Sequence, residues 1–503
     1  MTAGLFFGHL RMEWLEILTH KRSGKIRLVP RLTTLPGDLE TPVSVFLKFR
    51  PHGARFLLES ADGVGLTGRY SFIGMRPKFR IDLFADHALA TSAEHAVKIP
   101  YVDSRNPFDI LRKLISSIEI TSNPLGSALL GGLVGHINYE AVGFIEPRLK
   151  LLENGHAHPV ASFYLVDTLF VFDHFKRQMQ AMALVENGNS KSSSARGIIE
   201  EMTDLLKGDV KFPGSCSPTA PESFEPNVTK SRYEQLVEVA RENIFKGNIF
   251  QLVLSQAQVA HSPVDGFQVY RALRMLNPSP YMFYLDMDNQ ELIGSSPEVM
   301  VRLNAGKATL RPIAGTRPRG ESESEDIEFE KSLVADEKEL AEHTMLVDLG
   351  RNDLGRTCKY GSVTVERLMQ VERFSHVMHL TSTVTGQLLP GKDQFDLFSA
   401  VFPAGTVTGA PKVRAMQLIS EMENTPRGPY AGCVGYFSLS GDMDMCITIR
   451  TVMKQGSSLR LQAGAGLVAD SVPEREYQET LNKLQALKDA IRIAEGGFHD
   501  PLH

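Results

Sequence analysis

The sequence predicts an α+β fold with largely antiparallel sheets. In the C-terminal half, strand-like segments follow one another directly, at 249–256, 282–286, 291–295, 298–303 and 307–312, and again at 432–439, 444–453 and 459–463. Helical patterns come in long blocks between them, at 231–246, 323–350, 411–423 and 473–494. Consecutive strands with helices inserted in blocks argue against a regular βαβ alternation. In the first half, the apolar runs at 131–139 and 163–172 read as buried strands among mixed elements.

Bulk composition narrows the function classes. At 503 residues, 42% hydrophobic and 22% charged, the chain is long enough for a large core and more than one structural unit. A net charge of −5 gives no reason to expect nucleic acid or an anionic membrane as partner. The four cysteines, Cys216, Cys358, Cys433 and Cys446, form no CxxC and indicate neither a zinc site nor a disulfide framework. A reducing cytoplasm is the expected setting. Met1 to Arg22 carries Glu13 and Glu16 without a sustained apolar run, unlike a secretion signal. The run at 163–172 contains Asp167 and is too short to span a bilayer. A polar, Ser/Pro-rich stretch at about 187–226, with a helical pattern at 195–206 inside it, reads as a surface connection between residues 1–226 and 227–503.

Two short acidic stretches carry chemistry. Asp336-Glu-Lys-Glu339-Leu-Ala-Glu342 and Glu476-Tyr-Gln-Glu479 each set two carboxylates three residues apart, on one helix face. The stripe Glu476, Glu479, Lys483 continues into Leu487 and Ile491, which turns the acids toward the protein. Four buried carboxylates need a cation, and a hard dication such as Mg2+ prefers oxygen. The same spacing also suits a solvated helix start, with acids favoured by the dipole, Glu479–Lys483 as an i,i+4 pair, and Ser471-Val-Pro-Glu474 as a capping box.

Three glycine-containing segments are candidate anion loops. Ala463-Gly464-Ala465-Gly466-Leu467-Val-Ala469 matches G-x-G-x-x-A, but no helix opens at its third position. It reads as a Gly turn whose N–H groups bind a carboxylate, or as a simple tight turn. Arg311 to Gly320 is a second loop, with Thr316 as donor and its arginines as exposed surface charges. Phe402 to Lys412 is a third, carrying Thr406 and leading into a helix that a hydroxyl could cap.

The strings Pro312-Ile-Ala-Gly-Thr-Arg-Pro-Arg-Gly320, Glu342-His-Thr-Met-Leu-Val-Asp-Leu-Gly-Arg-Asn-Asp353, Phe374-Ser-His-Val-Met-His379, Gly405-Thr-Val-Thr-Gly-Ala-Pro-Lys412, Gly432-Cys-Val-Gly-Tyr436 and Gly464-Ala-Gly-Leu-Val-Ala-Asp-Ser-Val-Pro-Glu474 resemble, in order, the chorismate-utilising enzymes. The resemblance covers 231 to about 494. It implies two sheets packed face to face with helices outside. It also implies a reaction: chorismate plus ammonia gives aminodeoxyisochorismate, which loses pyruvate to give anthranilate, the first step toward tryptophan.

By the same resemblance, Glu298 is the general acid for the departing C4 hydroxyl, Thr406 hydrogen-bonds near the ring, and His379 takes the C2 proton as pyruvate leaves. Mg2+ would be held by Glu342 and Glu479, with Glu339 and Glu476 beside them. Lys483, Arg450 and Tyr436 would hold substrate carboxylates, together with Gly315, Thr316, Gly464, Ala465 and Gly466. Isochorismate and salicylate synthases carry a lysine where this chain has Gln251, and aminodeoxychorismate synthases usually carry one where it has Ala314. Both positions point to the anthranilate-forming branch; aminodeoxychorismate and aminodeoxyisochorismate producers are the alternatives. Leu57-Leu-Glu59-Ser60 and Pro280-Tyr281-Met282 resemble a feedback site for tryptophan as allosteric inhibitor, with Glu59 and Ser60 toward the ammonium and the second segment around the indole. The family's usual arginine after Ser-Gln is replaced here by Ala257. No cysteine lies in a Gly-rich nucleophile loop, so glutamine-dependent activity would need a glutamine amidotransferase subunit in a hetero-oligomer.

Overall fold

The computed structural model describes residues 25–60, 66–101, 106–125, 129–149, 158–186, 192–211, 223–373 and 377–498. The readings of residues 1–22, of Cys216, of much of the polar connection and of Phe374-Ser-His376 fall outside them. Among the described residues, thirteen strands form one sheet and twelve a second. Every pairing is antiparallel except that of Ile26–Pro36 with Ile118–Ile120. The fold is α+β, as the strand order predicts. Strands from either side of residue 226 pair in both sheets: Ala54–Glu59 with Tyr281–Asp286 in the first, Gly132–Ile137 with Cys433–Ser438 in the second.

The two sheets bury their facing surfaces against each other. Phe56, Phe72, Val171, Met182, Phe283 and Leu292 of the first meet Val134, Tyr164, Val434 and Cys446 of the second in one apolar cluster. The two-residue period of a strand decides which neighbour goes where. Leu169 and Val171 point into this layer, while Phe170 and Phe172 point outward beneath Phe49 and Met202. A strand covered on both faces reads as a continuous apolar run. Helices Gly266–Leu276 and Pro473–Glu495 cover the first sheet's outer face with Phe267, Tyr270, Leu273, Leu484, Leu487 and Ile491.

Three segments expected as single elements are divided, and the divisions matter. The run at 163–172 is two strands, Ala161–Val166 in the second sheet and Thr168–Asp173 in the first, with the chain crossing at Asp167. The segment at 444–453 is likewise Met443–Ile447 in the second sheet and Thr451–Gln455 in the first. Between them Arg450 takes a left-handed φ of 51°. The helix at 323–350 is two helices, Glu323–Val334 and Glu337–Gly355. The second opens on Asp336, whose carboxylate accepts the N–H groups of Lys338 and Glu339 at 3.1 and 3.2 Å. By contrast, no capping box forms at Ser471: the helix is capped at Val472 without a side-chain bond, and Ser471 Oγ accepts the Val468 N–H at 3.0 Å.

Candidate active site

Crossings between the sheets deliver the central groups. Pro297 and Glu298 join Glu291–Ser296 of the first sheet to Val299–Asn304 of the second. Arg450 lies on the return crossing. The two crossings are tied together, since Ile447 N–H donates to the Glu298 carbonyl at 3.0 Å and Ser296 Oγ donates to the Ile447 carbonyl at 2.7 Å. The Glu298 residue is 8% exposed. Burial pushes its carboxyl up to about 8, against the opposing pull of Thr406 and Lys483. It is therefore an acid that keeps its proton at neutral pH.

Thr406 lies in the short turn Gly405–Val407, and its hydroxyl is buried beside that carboxyl without a well-formed hydrogen bond. Lys483 Nζ bonds Glu479 at 2.6 Å and the Gly464 carbonyl at 2.9 Å. Arg450 Nη1 donates to the Lys483 carbonyl at 3.1 Å. Burial lowers the pKa of Arg450, with the charge of Glu479 acting against it.

His379 stands opposite Thr316 where Val377–Gln387 pairs with Ile313–Pro318. A bulge at Gly315, φ 70°, interrupts that register. His379 Nδ1 lies 3.0 Å from the Gly315 carbonyl and 3.0 Å from Thr316 Oγ1. Burial and, less strongly, the nearby Arg450 charge lower its pKa, so the ring is neutral at pH 7. With Nδ1–H given to the Gly315 carbonyl, the neutral ring carries its lone pair on Nε2.

The two acidic helix starts face each other across this site. Lys338 of one acts on Glu476 of the other. Glu339 and Glu476 are both raised, first by burial; each is raised further by its own helical neighbour, Glu342 and Glu479 respectively. Glu342 accepts Gln251 Nε2 at 2.7 Å, and Glu339 lies 3.5 Å from Arg317. The stripe on the last helix runs from buried Ile491 and Leu487 to a Glu479 side chain that is 47% exposed. Among the described residues, no three His, Cys, Asp or Glu side chains gather closely enough to hold an ion by themselves. The chemistry of the donor set still fits a dication: carboxylates gathered at two facing helix starts, with Glu339 and Glu476 held up by burial and by a neighbouring acid, gain from a shared positive charge.

The glycine segments differ from the sequence reading. Gly464, Ala465 and Gly466 form no turn; they lie within the strand Ser458–Leu467, paired with Ser255, Leu254 and Val253. Close approach requires glycine at 464, where a Cβ would sit 2.6 Å from Tyr430 Oη and 2.9 Å from the Leu254 carbonyl; at 466 a Cβ would sit 3.0 Å from Gln251 Nε2, the movable end of a side chain. The arginines at 311–319 are likewise ion-paired and not exposed charges: Arg311 with Glu372, Arg317 with Asp336 and Arg319 with Asp326.

Tyr436 keeps different company from Lys483 and Arg450. Its ring meets Phe72 at 6.2 Å between the sheets, and Asp444 and Arg302 act on its hydroxyl. It therefore stands on the side of Tyr281, whose hydroxyl bonds Asp444 at 2.8 Å and Arg302 at 2.9 Å. Glu59 is placed opposite Met282 by strand pairing. Its carboxylate already accepts the Tyr270 hydroxyl and pairs with Arg274 at 3.2 Å. Ser60 Oγ is buried without a hydrogen-bond partner among the described residues. Pro280 lines a small cavity of about 40 Å³ with Tyr281, Pro297, Arg302 and Arg311. Sequence reasoning missed Arg274, Tyr430 and the buried pair Arg427–Glu423, because their partners Glu59, Gly464, Val253 and Val407 are remote in the chain.

This set of a buried acid, a neutral histidine and paired carboxylates belongs to a known class. A family model described as chorismate binding enzyme matches residues 54–489, and the chain belongs to that family. It is 43% identical over 485 residues to anthranilate synthase component 1 of Aquifex aeolicus (strain VF5), covering 94% of this chain and 97% of the relative. The structure of anthranilate synthase component I from Streptococcus pneumoniae TIGR4 superposes with a TM-score of 0.72 at 35% identity, covering 84% of this chain and 93% of that one. The menaquinone-specific isochorismate synthase of Escherichia coli, 21% identical with a TM-score of 0.70 over 96% and 99% of the two chains, shares the fold.

Proposed function

We propose that this chain is the large subunit of an anthranilate synthase, converting chorismate and ammonia to anthranilate, pyruvate and water. The observation that carries the reading is Glu298, a buried carboxyl that holds its proton at neutral pH beside Thr406 and Lys483. Ammonia adds at ring C2 while the C4 hydroxyl leaves as water with the Glu298 proton; the nitrogen then sheds a proton, which restores the acid. His379 Nε2 takes the C2 proton, the ring C–O bond to the enolpyruvyl group breaks and the ring becomes aromatic; the departing enolate takes a proton at its methylene carbon to become pyruvate, which returns the histidine to its neutral form. Lys483 and Arg450 hold substrate carboxylates. Gln251, an amide bonded to Glu342, supplies no base for water, which suits an amine nucleophile. Mg2+ would be held by Glu342 and Glu479 with Glu339 and Glu476 alongside, and when bound would offset repulsion between them and a substrate carboxylate.

Ammonia would come from a glutamine amidotransferase subunit, in keeping with relatives named as a first component. Tryptophan would inhibit at Glu59, Ser60, Pro280, Tyr281 and Met282; the unpartnered Ser60 hydroxyl supports this, and the ligand's ammonium would share Glu59 with Arg274. The test is incubation of the chain with chorismate, Mg2+ and ammonium, with product read by fluorescence and mass. Anthranilate and pyruvate in equal amounts are expected. An amino product that retains the enolpyruvyl group would replace this reading with an aminodeoxychorismate or aminodeoxyisochorismate synthase, and binding of chorismate without turnover would refute catalysis.

A further inference from the structure

The most enclosed charge near the site has no part in the chemistry above. Arg427 is 2% exposed and gives four of its five N–H donors to fixed partners. Nε donates to Glu423 Oε2 at 2.8 Å, and Nη2 donates to Glu423 Oε1 and to the Val253 carbonyl, both at 2.7 Å. Nη1 donates to the Val407 carbonyl at 2.8 Å. Glu423 in turn accepts the Ser255 N–H at 2.8 Å and its hydroxyl at 2.9 Å. The guanidinium plane lies 4.7 Å from the ring of Tyr139 and 5.6 Å from that of Tyr430. Such a charge is costly to bury unless it is paired and hydrogen-bonded, and here a carboxylate and two carbonyls take four of its donors.

Two of those partners lead to Glu298. Val407 follows Thr406 in the Gly405–Val407 turn. The ends of the surrounding loop are fixed separately: Val253 N–H donates to the Thr408 carbonyl at 2.8 Å, and Lys412 bonds the Val401 carbonyl at 2.9 Å and Asp353 at 2.7 Å. The turn between them is tied to the body of the protein through Arg427. Tyr430 packs so tightly on Gly464 that no Cβ fits, and the Gly464 carbonyl is the anchor of Lys483. Thr406 and Lys483 are the two groups that act on the Glu298 carboxyl. We propose that Arg427 is a positioning residue that, through the Val407 carbonyl and the Tyr430 ring, holds Thr406 and Lys483 against Glu298. The proposal rests on the reading of Glu298 as the acid.

The test is Arg427→Lys, which keeps the charge and loses the planar fork. Turnover of chorismate with Mg2+ is followed across pH with free ammonia held constant, alongside thermal melting. Lys483, by its charge, and Thr406, by its nearby hydroxyl, both pull the pKa of Glu298 down. Loosening them raises it. The expected result is a fall in kcat of at least about tenfold, KM for chorismate within about threefold, and an alkaline midpoint of kcat displaced upward by about half a pH unit or more. A merely structural role would lower the melting temperature and scale the whole profile without moving its midpoint; that result in folded Arg427→Lys overturns the proposal. Should Arg427→Lys fail to fold, Glu423→Gln, which removes one charge and keeps the shape, decides on the same midpoint. Glu298→Gln separates the two readings: retained turnover there refutes the acid itself, whereas lost turnover with an unmoved midpoint in the Arg427 variant refutes only the positioning.

Discussion

Replacing Glu298 by Gln should make the protein more stable, and increasingly so as pH rises. The carboxyl is raised by burial from 4.5 to about 8, so its folded-state pKa lies above its unfolded one. Below pH 4.5 both states are protonated and the site costs nothing by titration. Between 4.5 and 8 the unfolded chain releases a proton that the folded chain retains, so stability falls steadily with pH; above 8 the loss levels off. At 1.36 kcal/mol per unit, the interval sets the full loss at roughly 5 kcal/mol, an upper figure for a group that water or a substrate can reach. Glutamine has the same shape and no proton to lose. The difference in unfolding free energy between Glu298→Gln and the parent, measured by denaturant titration at a series of pH values, should be small near pH 5, grow through pH 6 and 7, and flatten above 8. The variant should have lost turnover. A difference that stays constant across this range would refute the claim that burial holds this acid protonated, whatever happens to activity.

Two further substitutions address the ion and the second half-reaction. Glu479→Gln should weaken Mg2+ binding, read by calorimetric titration, by more than the roughly 10–100-fold typical of an outer-shell partner; unaltered affinity would remove Glu479 from the ligand set. His379→Ala should lower anthranilate formation by roughly 10²–10⁴-fold while the amino intermediate that retains the enolpyruvyl group accumulates in the mass spectrum; an undiminished anthranilate yield would dismiss the histidine as the base.

Much of this site was legible because catalytic chemistry restricts residue type. The carboxylate spacing of Glu339–Glu342 and Glu476–Glu479 survives as two facing helix starts, and the short strands at 282–286 and 291–295 stand within a residue or so of their expected ends. Gly464 was legible as a position that needs glycine but not for what reason. A turn and a tightly overlaid strand both demand a missing Cβ, and only the position of Tyr430 tells them apart. Arg427 was illegible for a related reason. Glu423, four residues back, takes two of its bonds, but the other two go to remote carbonyls at 253 and 407, and no local pattern carries that information.

Two strand readings failed at passages between the sheets, and the cause is geometric. Periodicity reports that a residue is buried, not which sheet buries it. A chain passing from one sheet to the other keeps its apolar character through the passage, so 163–172 and 444–453 each read as one strand. At a crossing, however, the backbone leaves the ladder, and a side chain there can point into the seam between layers without breaking strand pairing. Asp167 uses that freedom for an ion pair with Lys78 at 3.0 Å. Glu298 uses it to bring a carboxyl into a nearly dry space, and Arg450, with its left-handed backbone, to meet the last helix. The two crossings that carry Glu298 and Arg450 run in opposite directions between the same pair of sheets and are bonded to each other through Ile447. Acid and cation are thus fixed by main chain on both sides. The raised proton affinity of Glu298 follows from its place at the crossing: burial there disfavours the charged carboxylate, and Thr406 and Lys483 pull only partly against it.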